Sequence, residues 1–198
     1  MTKLYMFDLD GVLIDSKTNM HKSWDTCKSK YNLSQPFEDY FSHVGKPFRV
    51  ILNELGIMTN HEAIKKTYDD TSLKHVSEVT IYPGVVETLQ RLKDDGNKIA
   101  VVTSKSADRT EVMIQGLPDF DFVVSPKQGL RGKPNPDQLL FCMAMCNVDP
   151  QDTYYIGDMQ TDYDAAQRAG VEFIHVKYGY GKVKCKITLS RIEQLILP

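Results

Sequence analysis

The stretch that decides the fold is "YMFDLDGVLIDS", residues 5–16. Tyr5, Met6 and Phe7 are apolar at successive positions, as in a strand covered on both faces. They run directly into Asp8, Asp10 and Gly11. Side chains at i and i+2 of an extended chain share one side, so two carboxylates meet where a buried strand ends. Like charges at that spacing repel, and neither tolerates a low-dielectric setting without a counter-charge. The pair therefore implies something positive held at the strand end.

Working outward, the strand extends over 3–7 (KLYMF), and four more runs share its character: 98–102 (KIAVV), 122–124 (FVV), 153–156 (TYYI) and 172–176 (EFIHV). Helical patterns separate the later ones. Residues 84–95 follow Pro83, carry Val85, Leu89 and Leu92 as a stripe and stop at Gly96. Residues 106–115 follow Ser104 and Ser106, either of which offers a cap. Residues 135–147 follow Pro134, and 161–169 end at Gly170. Strands alternating with helices predict an α/β fold, a doubly wound parallel Rossmann-like sheet of five strands.

One segment breaks the alternation. Residues 17–31, 36–44 and 47–55 read as helices, the second with Phe37, Tyr40, Phe41 and Val44 spaced i, i+3, i+4, i+7, and a weaker helix covers 61–78. This predicts a small helical cap over 16–80 inserted after the first strand, with 1–15 and 81–198 as the core. Its ends flank the Asp8/Asp10 strand end, which places it as a lid. In the tail, 187–198, Ser190 and Glu193 have capping-box spacing before a short helix.

Composition narrows the function. With 24 basic and 26 acidic residues the net charge is −2, and no domain-scale basic stripe speaks for nucleic acid as a partner. No stretch is long enough to span a membrane, and Asp8 and Asp10 break the N-terminal apolar run that a signal peptide would need. The four cysteines lack C-x-x-C spacing; Cys142 and Cys146, at i and i+4, fit core packing, and reduced thiols in the cytoplasm are expected. The five histidines are scattered and suit surface or filler roles. A monomer or a homodimer is compatible with this chain.

In an open parallel sheet, ligands bind outside the carboxyl ends of the strands. Asp8, Asp10 and Gly11 follow the first strand; Thr103 and Ser104 the second; Gly132-Lys133-Pro134 lies past the third; Gly157, Asp158 and then Asp162 follow the fourth. Singly, each piece has an ordinary reading as a turn, a helix cap or a solvated loop charge. Together they converge on one edge of the sheet. A hard cation with oxygen ligands would tolerate Asp8, Asp10 and Asp158 side by side. A lysine and a hydroxyl beside it suit a phosphoryl group.

These motifs carry a resemblance. "FDLDGVLIDS" at 7–16, "YPGVVETLQRLKDDG" at 82–96, "VVTSK" at 101–105, "GKPNPD" at 132–137 and "YIGDMQTDYDAAQRAG" at 155–170 resemble the haloacid dehalogenase superfamily, in its phosphoglycolate phosphatase and beta-phosphoglucomutase-like branch with a helical cap. "HVGKPFRVIL" and "VKYGYG" match more weakly. The resemblance implies Asp8 as a nucleophile that forms an aspartyl-phosphate, and Asp10 as general acid and then base. It implies Mg²⁺ held by Asp8, the Asp10 backbone carbonyl and Asp158, with Asp162 orienting a metal-bound water or Lys133. Thr103 and Ser104 would bind the phosphoryl oxygens, and Lys133 would neutralise Asp8 and the phosphoryl charge. Gly45 and Lys46 fall where relatives of this type place a substrate-reading loop, and Lys46 or Arg49 would meet an anionic substrate; a solvated turn charge is the ordinary reading of both.

The implied activity is a Mg²⁺-dependent phosphatase of a small phosphorylated metabolite, a sugar phosphate among the candidates. The alternative is a beta-phosphoglucomutase-like mutase using the same two acids. Asp10 argues against a dehalogenase, which does not need a second acid. A phosphonatase would need a cap lysine, and several exist. A signalling receiver should carry its acceptor Asp at the end of the third strand, where this chain has Ser125-Pro126. The complete motif set argues against an inactive phosphoprotein-binding relative. Ser104 departs from the Asn that many relatives carry after the motif Thr.

Overall fold

The computed structural model describes residues 2–196. Its elements in chain order are β1 (Leu4–Phe7), β2 (Ile14–Asp15), α1 (Lys17–Tyr31), α2 (Phe37–Ser42), α3 (Phe48–Glu54), α4 (His61–Lys74), β3 (Thr80–Ile81), α5 (Val85–Asp94), β4 (Lys98–Val102), α6 (Ala107–Met113), β5 (Phe122–Val124), α7 (Asp137–Cys146), β6 (Thr153–Gly157), α8 (Gln160–Ala169), β7 (Glu172–Val176) and β8 (Ile187–Leu189).

Six strands pair side by side in the order β5–β4–β1–β6–β7–β8, every pair parallel. The five expected strands are present, and a sixth, β8, adds to the edge beyond β7. The chain winds outward from β1 in one direction through β4 and β5, then restarts on the other side of β1 with β6. That reversal opens a crevice at the carboxyl end of β1, where the two halves of the winding diverge.

The pleat sorts β1 into two cores. Leu4 and Met6 face Leu139, Cys142 and Cys146 of α7 and Ala165 and Ala166 of α8. Phe7 faces the other way with Ile99, Val101 and Ile156, against Val85, Leu89 and Leu92 of α5 and Met113 of α6. Both faces are covered, which is why these strands are apolar at successive positions rather than alternating. Cys142 and Cys146 pack in the core as their spacing implied, and all four cysteines are free thiols.

Between β1 and β4 the chain leaves through β2 and returns through β3, which pair antiparallel with Ile14 opposite Ile81. These two-residue strands are too short to register as a pattern. Beyond them α1–α4 form a bundle with its own core of Trp24, Tyr40, Leu52, Ile64 and Tyr68. Trp24 stacks on Tyr40 with centroids 4.5 Å apart, and its indole N–H donates to the Gln35 carbonyl at 3.0 Å. Asn19 of α1 ties down the end of α4 by donating to the carbonyls of Ser72 (2.8 Å) and His75 (2.9 Å).

Two local readings need correction. Ser106 sits at the N-cap of α6 but makes no side-chain cap bond, and Ser104 is engaged elsewhere. In the tail, Gln194 rather than Glu193 reaches back to the amides of Ser190 (2.7 Å) and Arg191 (3.1 Å), over a single 3₁₀ turn, Ile192–Leu195. The last two residues of the expected tail helix lie outside the described residues.

Trp24 is fully buried and is the centre of the insertion core. Trp24→Ala is expected to lower unfolding free energy by about 3–5 kcal/mol, read by urea denaturation. A loss below about 1 kcal/mol would show that this aromatic stack does not hold the bundle.

Candidate active site

Asp8 follows β1 directly, and its amide donates to the Ile156 carbonyl of β6, which locks the strand end in place. Its carboxylate is buried and meets the Lys133 ammonium, Oδ1 to Nζ, at 2.9 Å. Lys133, itself fully buried, also donates to Asp162 Oδ1 at 2.7 Å and to the Tyr155 hydroxyl at 3.0 Å. Burial alone would deprotonate this lysine, but Asp162 and Asp8 outweigh it and hold its pKa well above the ordinary value. A permanent ammonium thus stands between two carboxylates.

Asp162 lies on the first turn of α8. Its Oδ2 accepts from the amides of Asp158 (3.2 Å) and Met159 (3.0 Å), while Oδ1 accepts from Lys133 and from Tyr155 (3.2 Å). Both oxygens are therefore occupied. Asp158 is different. Its Oδ2 accepts from the Tyr180 amide at 2.6 Å, but its buried Oδ1 has no partner. Gly11 and Gly179 enclose this carboxylate closely: a Cβ on Gly11 would stand 2.4 Å from Asp158 Oδ2, and one on Gly179 2.4 Å from Asp158 Cβ. Gly11 also has φ +81°, which a side chain would strain.

Carboxylate oxygens of Asp8, Asp158 and Asp162 lie within 4.8 Å of one another. Three buried carboxylates face a single ammonium, so the cluster lacks positive charge. The shortage raises the proton affinity of Asp8 and Asp158. Asp8 is pushed up to about 7, first by burial and then by Asp162 and Asp10 acting against Lys133. Asp158 is raised well above the carboxylate range by burial, Asp162 and Asp8. An oxygen-seeking divalent cation fits this donor set, and the unpartnered Asp158 Oδ1 gives it a ligand atom. Asp162, with both oxygens spent, fits an orienting role.

Asp10 does not join the cluster through its carboxylate. Oδ1 accepts from the Ser16 hydroxyl and pairs with Lys105 Nζ at 3.0 Å. Thr103 is buried beside Asp8 and Asp10 in a cleft between the sheet edge and the bundle. Ser104 lines the cleft but spends its hydroxyl on the Gly45 carbonyl, at 2.8 Å. Lys46 borders the cleft while pairing with Glu54 at 2.6 Å. Arg49 is exposed and is not among the cleft residues.

Four residues here escaped sequence reasoning. Tyr155 was read only as part of an apolar strand. Tyr180 joins the site to the stem of the insertion: its hydroxyl accepts from the Ser16 amide (2.8 Å) and donates to Asp15 Oδ1 (3.0 Å), and its ring packs edge-on to Phe41 of α2. The "YGYG" segment was its only signal. Lys105 and Arg109 are buried cations facing the cleft. Arg109 reaches across to α4, donating to Ser72 Oγ at 3.0 Å and to Asp69 Oδ1 at 3.1 Å.

With this geometry in view, the comparisons decide the family. The haloacid dehalogenase-like hydrolase model matches residues 5–176. The chain belongs to the haloacid dehalogenase-like hydrolases. It is an enzyme of that family, similar over nearly its whole length to proteins named phosphoglycolate phosphatase. It is 27% identical to phosphoglycolate phosphatase of Aquifex aeolicus, covering 98% of this chain and 95% of that protein. It is 28% identical to phosphoglycolate phosphatase 1 of Pseudomonas aeruginosa, covering 91% and 71%. Among solved structures, CbbY of Rhodobacter sphaeroides, crystallised with xylulose-(1,5)bisphosphate, shares the fold with a TM-score of 0.86 at 16% identity over 98% of this chain and 96% of that one.

A haloacid dehalogenase-like chain with a proton-hungry Asp8 has a defined pH signature. The folded carboxyl titrates near 7 without an ion, against about 4 in the unfolded chain. The folded state then holds a proton the unfolded state has released, so this group's contribution to stability falls as pH rises through that window. Between about pH 5 and about pH 8 with chelator present, unfolding free energy should decline for the native protein relative to Asp8→Asn, which lacks the titration. Mg²⁺ should recover more stability at the upper pH than at the lower, measured by thermal or urea unfolding. A pH-independent difference would contradict the charge shortage described above.

Proposed function

We propose that this protein is a Mg²⁺-dependent phosphatase that hydrolyses a small phosphorylated metabolite through an aspartyl-phosphate on Asp8. The observation that carries the reading is the buried lysine Lys133 set between Asp8 and Asp162, beside a cluster of carboxylates short of positive charge. The similarity to phosphoglycolate phosphatases supports it.

Asp8 is the nucleophile. Its Oδ1 is fixed by Lys133, so the carboxylate is oriented before substrate arrives and needs little reorganisation during attack. Lys133 also spreads positive charge toward the phosphoryl oxygens. Thr103, buried at the end of β4, donates its hydroxyl to one of those oxygens, and the Ser104 amide serves another. Asp10, on the same strand exit, protonates the leaving oxygen and then takes a proton from the water that cleaves the acyl-phosphate. The Ser16 hydroxyl and Lys105 hold its carboxylate in place. Asp8, Asp158 and the Asp10 carbonyl would hold Mg²⁺, which supplies charge neutralisation to the phosphoryl group when bound. Asp162 keeps Lys133 and the Asp158 loop in register.

The bundle over the site acts as a cap that limits access of water. Ser104 on Gly45, Arg109 on Asp69 and Tyr180 between Asp158 and the Asp15–Ser16 stem join it to the core. Four free thiols support a reducing, cytoplasmic setting.

Asp8→Asn is expected to cut phosphate release from an aryl phosphate by more than about a thousandfold without unfolding the chain, because the amide is near-isosteric but cannot attack. Asp10→Asn should lose about 10²–10⁴-fold. Chelator should silence the native enzyme, and Mg²⁺ should restore it. Turnover retained by Asp8→Asn, or unaffected by chelator, would refute the assignment. Steady phosphate release, rather than isomerisation that needs a bisphosphate primer, separates the phosphatase from a mutase.

A further inference from the structure

Gln138 has no part in the mechanism above, yet it is only 1% exposed, on the first turn of α7. Its Nε2 donates to the Thr103 carbonyl at 3.1 Å, across 35 residues of chain. Its Oε1 is buried without a partner among the described residues. An apolar side chain of the same length would fill this space without an unpaired acceptor, so packing does not account for the glutamine. Its one bond points to its role. Thr103 is held at three points: its amide donates to the Val124 carbonyl at 2.9 Å, its hydroxyl oxygen accepts from the Lys105 amide at 3.1 Å, and Gln138 takes its carbonyl. The hydroxyl proton stays free to donate. The Thr103 carbonyl and the Ser104 amide belong to one planar, trans peptide, so they point in opposite directions. Thr103 and Ser104 line the cleft that contains Asp8, whereas Gln138 is not among the cleft residues. The carbonyl therefore faces α7, and the Ser104 amide faces the cleft. Among the described residues that amide donates to no backbone carbonyl. Ser104 spends its hydroxyl on the Gly45 carbonyl, so the amide is what it can offer a ligand.

We propose that Gln138 is a positioning residue for phosphoryl transfer: by holding the Thr103 carbonyl it aims the Ser104 amide of the same peptide at a phosphoryl oxygen. The inference rests on the phosphatase reading and adds to it a residue outside the cleft. Charge on the transferring group spreads over its equatorial oxygens, and a donor fixed beforehand stabilises them without reorganising during the reaction. Without Gln138 the Thr103 carbonyl would be an acceptor stripped of its donor, and the peptide would tilt to satisfy it. The tilt carries the Ser104 amide off its line to the oxyanion. Gln138 touches neither substrate nor ion in this arrangement and acts only through the peptide.

The test is Gln138→Met, which keeps an unbranched side chain of similar length and removes the donor. Its kcat/KM for an aryl phosphate should fall about tenfold to a hundredfold, below the loss of about 10²–10³ for deleting an oxyanion donor outright, with most of the change in kcat. Inhibition by orthovanadate, which takes the five-coordinate geometry of the transferring phosphoryl group, should weaken by a similar factor while the urea midpoint stays near that of the native protein. A glutamine that only packs would lower kcat by shrinking the folded fraction and would leave the vanadate inhibition constant unchanged. That outcome overturns the proposal, and so does native activity in Gln138→Met. A crystal of the native enzyme with vanadate needs no variant to fold. It should show the Ser104 amide about 3 Å from an equatorial oxygen, with Gln138 still on the Thr103 carbonyl. A Ser104 amide turned away from the oxyanion overturns the assignment. A native enzyme that neither releases phosphate nor takes up vanadate sinks the phosphatase reading itself.

Discussion

The interaction on which the rest depends is the ammonium of Lys133 held in a dry pocket between Asp8 and Asp162. A lone lysine so buried would lose its proton, and lone carboxylates so buried would gain one. Asp162 and Asp8 keep Lys133 protonated, Lys133 works against the rise that burial imposes on Asp8, and removing either partner would strand an uncompensated charge. The constraint reaches outward from there. Asp162 must sit on the first turn of α8, which fixes where β6 ends. Asp8 must end β1, which its amide secures by bonding to Ile156. The sheet order then places both strand ends side by side. One lysine cannot balance three carboxylates, and a divalent cation would make up that deficit.

A second constraint joins the bundle to the sheet. Tyr180 contacts Asp158 through its amide, Asp15 and Ser16 through its hydroxyl, and Phe41 through its ring. The loop that packs against an acid of the cluster is therefore the same loop that braces the stem of the insertion. Ser104, next to Thr103, donates to the Gly45 carbonyl in the loop between α2 and α3. Gly45 has φ +97°, and a Cβ there would crowd Thr161 Oγ1 at 2.8 Å, so this close approach requires a residue without a side chain. Cap position and site chemistry share residues, which lets substrate binding and cap docking influence one another.

Much of this was legible in the sequence because burial on both faces writes strands as continuous apolar runs. KLYMF, KIAVV and EFIHV read so strongly that the alternating fold followed. The acids at their carboxyl ends were legible because carboxylates after buried strands are costly and demand a partner. The edge strand Ile187–Leu189 was not, since three residues behind a lysine-rich loop are too few to carry a period. Lys105 and Arg109 were not, since "SKSADR" looks like a polar helix entrance. Only the packing of α4 over α6 turns those two charges inward. Arg49 shows the converse: a charge close in sequence to Gly45 and Lys46 that lies outside the cleft in space.

The central claim is that this sheet edge gathers anionic oxygens for one divalent ion. Crystals grown with Mn²⁺ in place of Mg²⁺, which prefers the same oxygen ligands, test it most directly by anomalous scattering. The account predicts a single strong peak bounded by the carboxylates of Asp8 and Asp158 and the Asp10 carbonyl, with Lys133 still on Asp8. A map with no peak there at saturating Mn²⁺, or with the ion held by other residues, would contradict it.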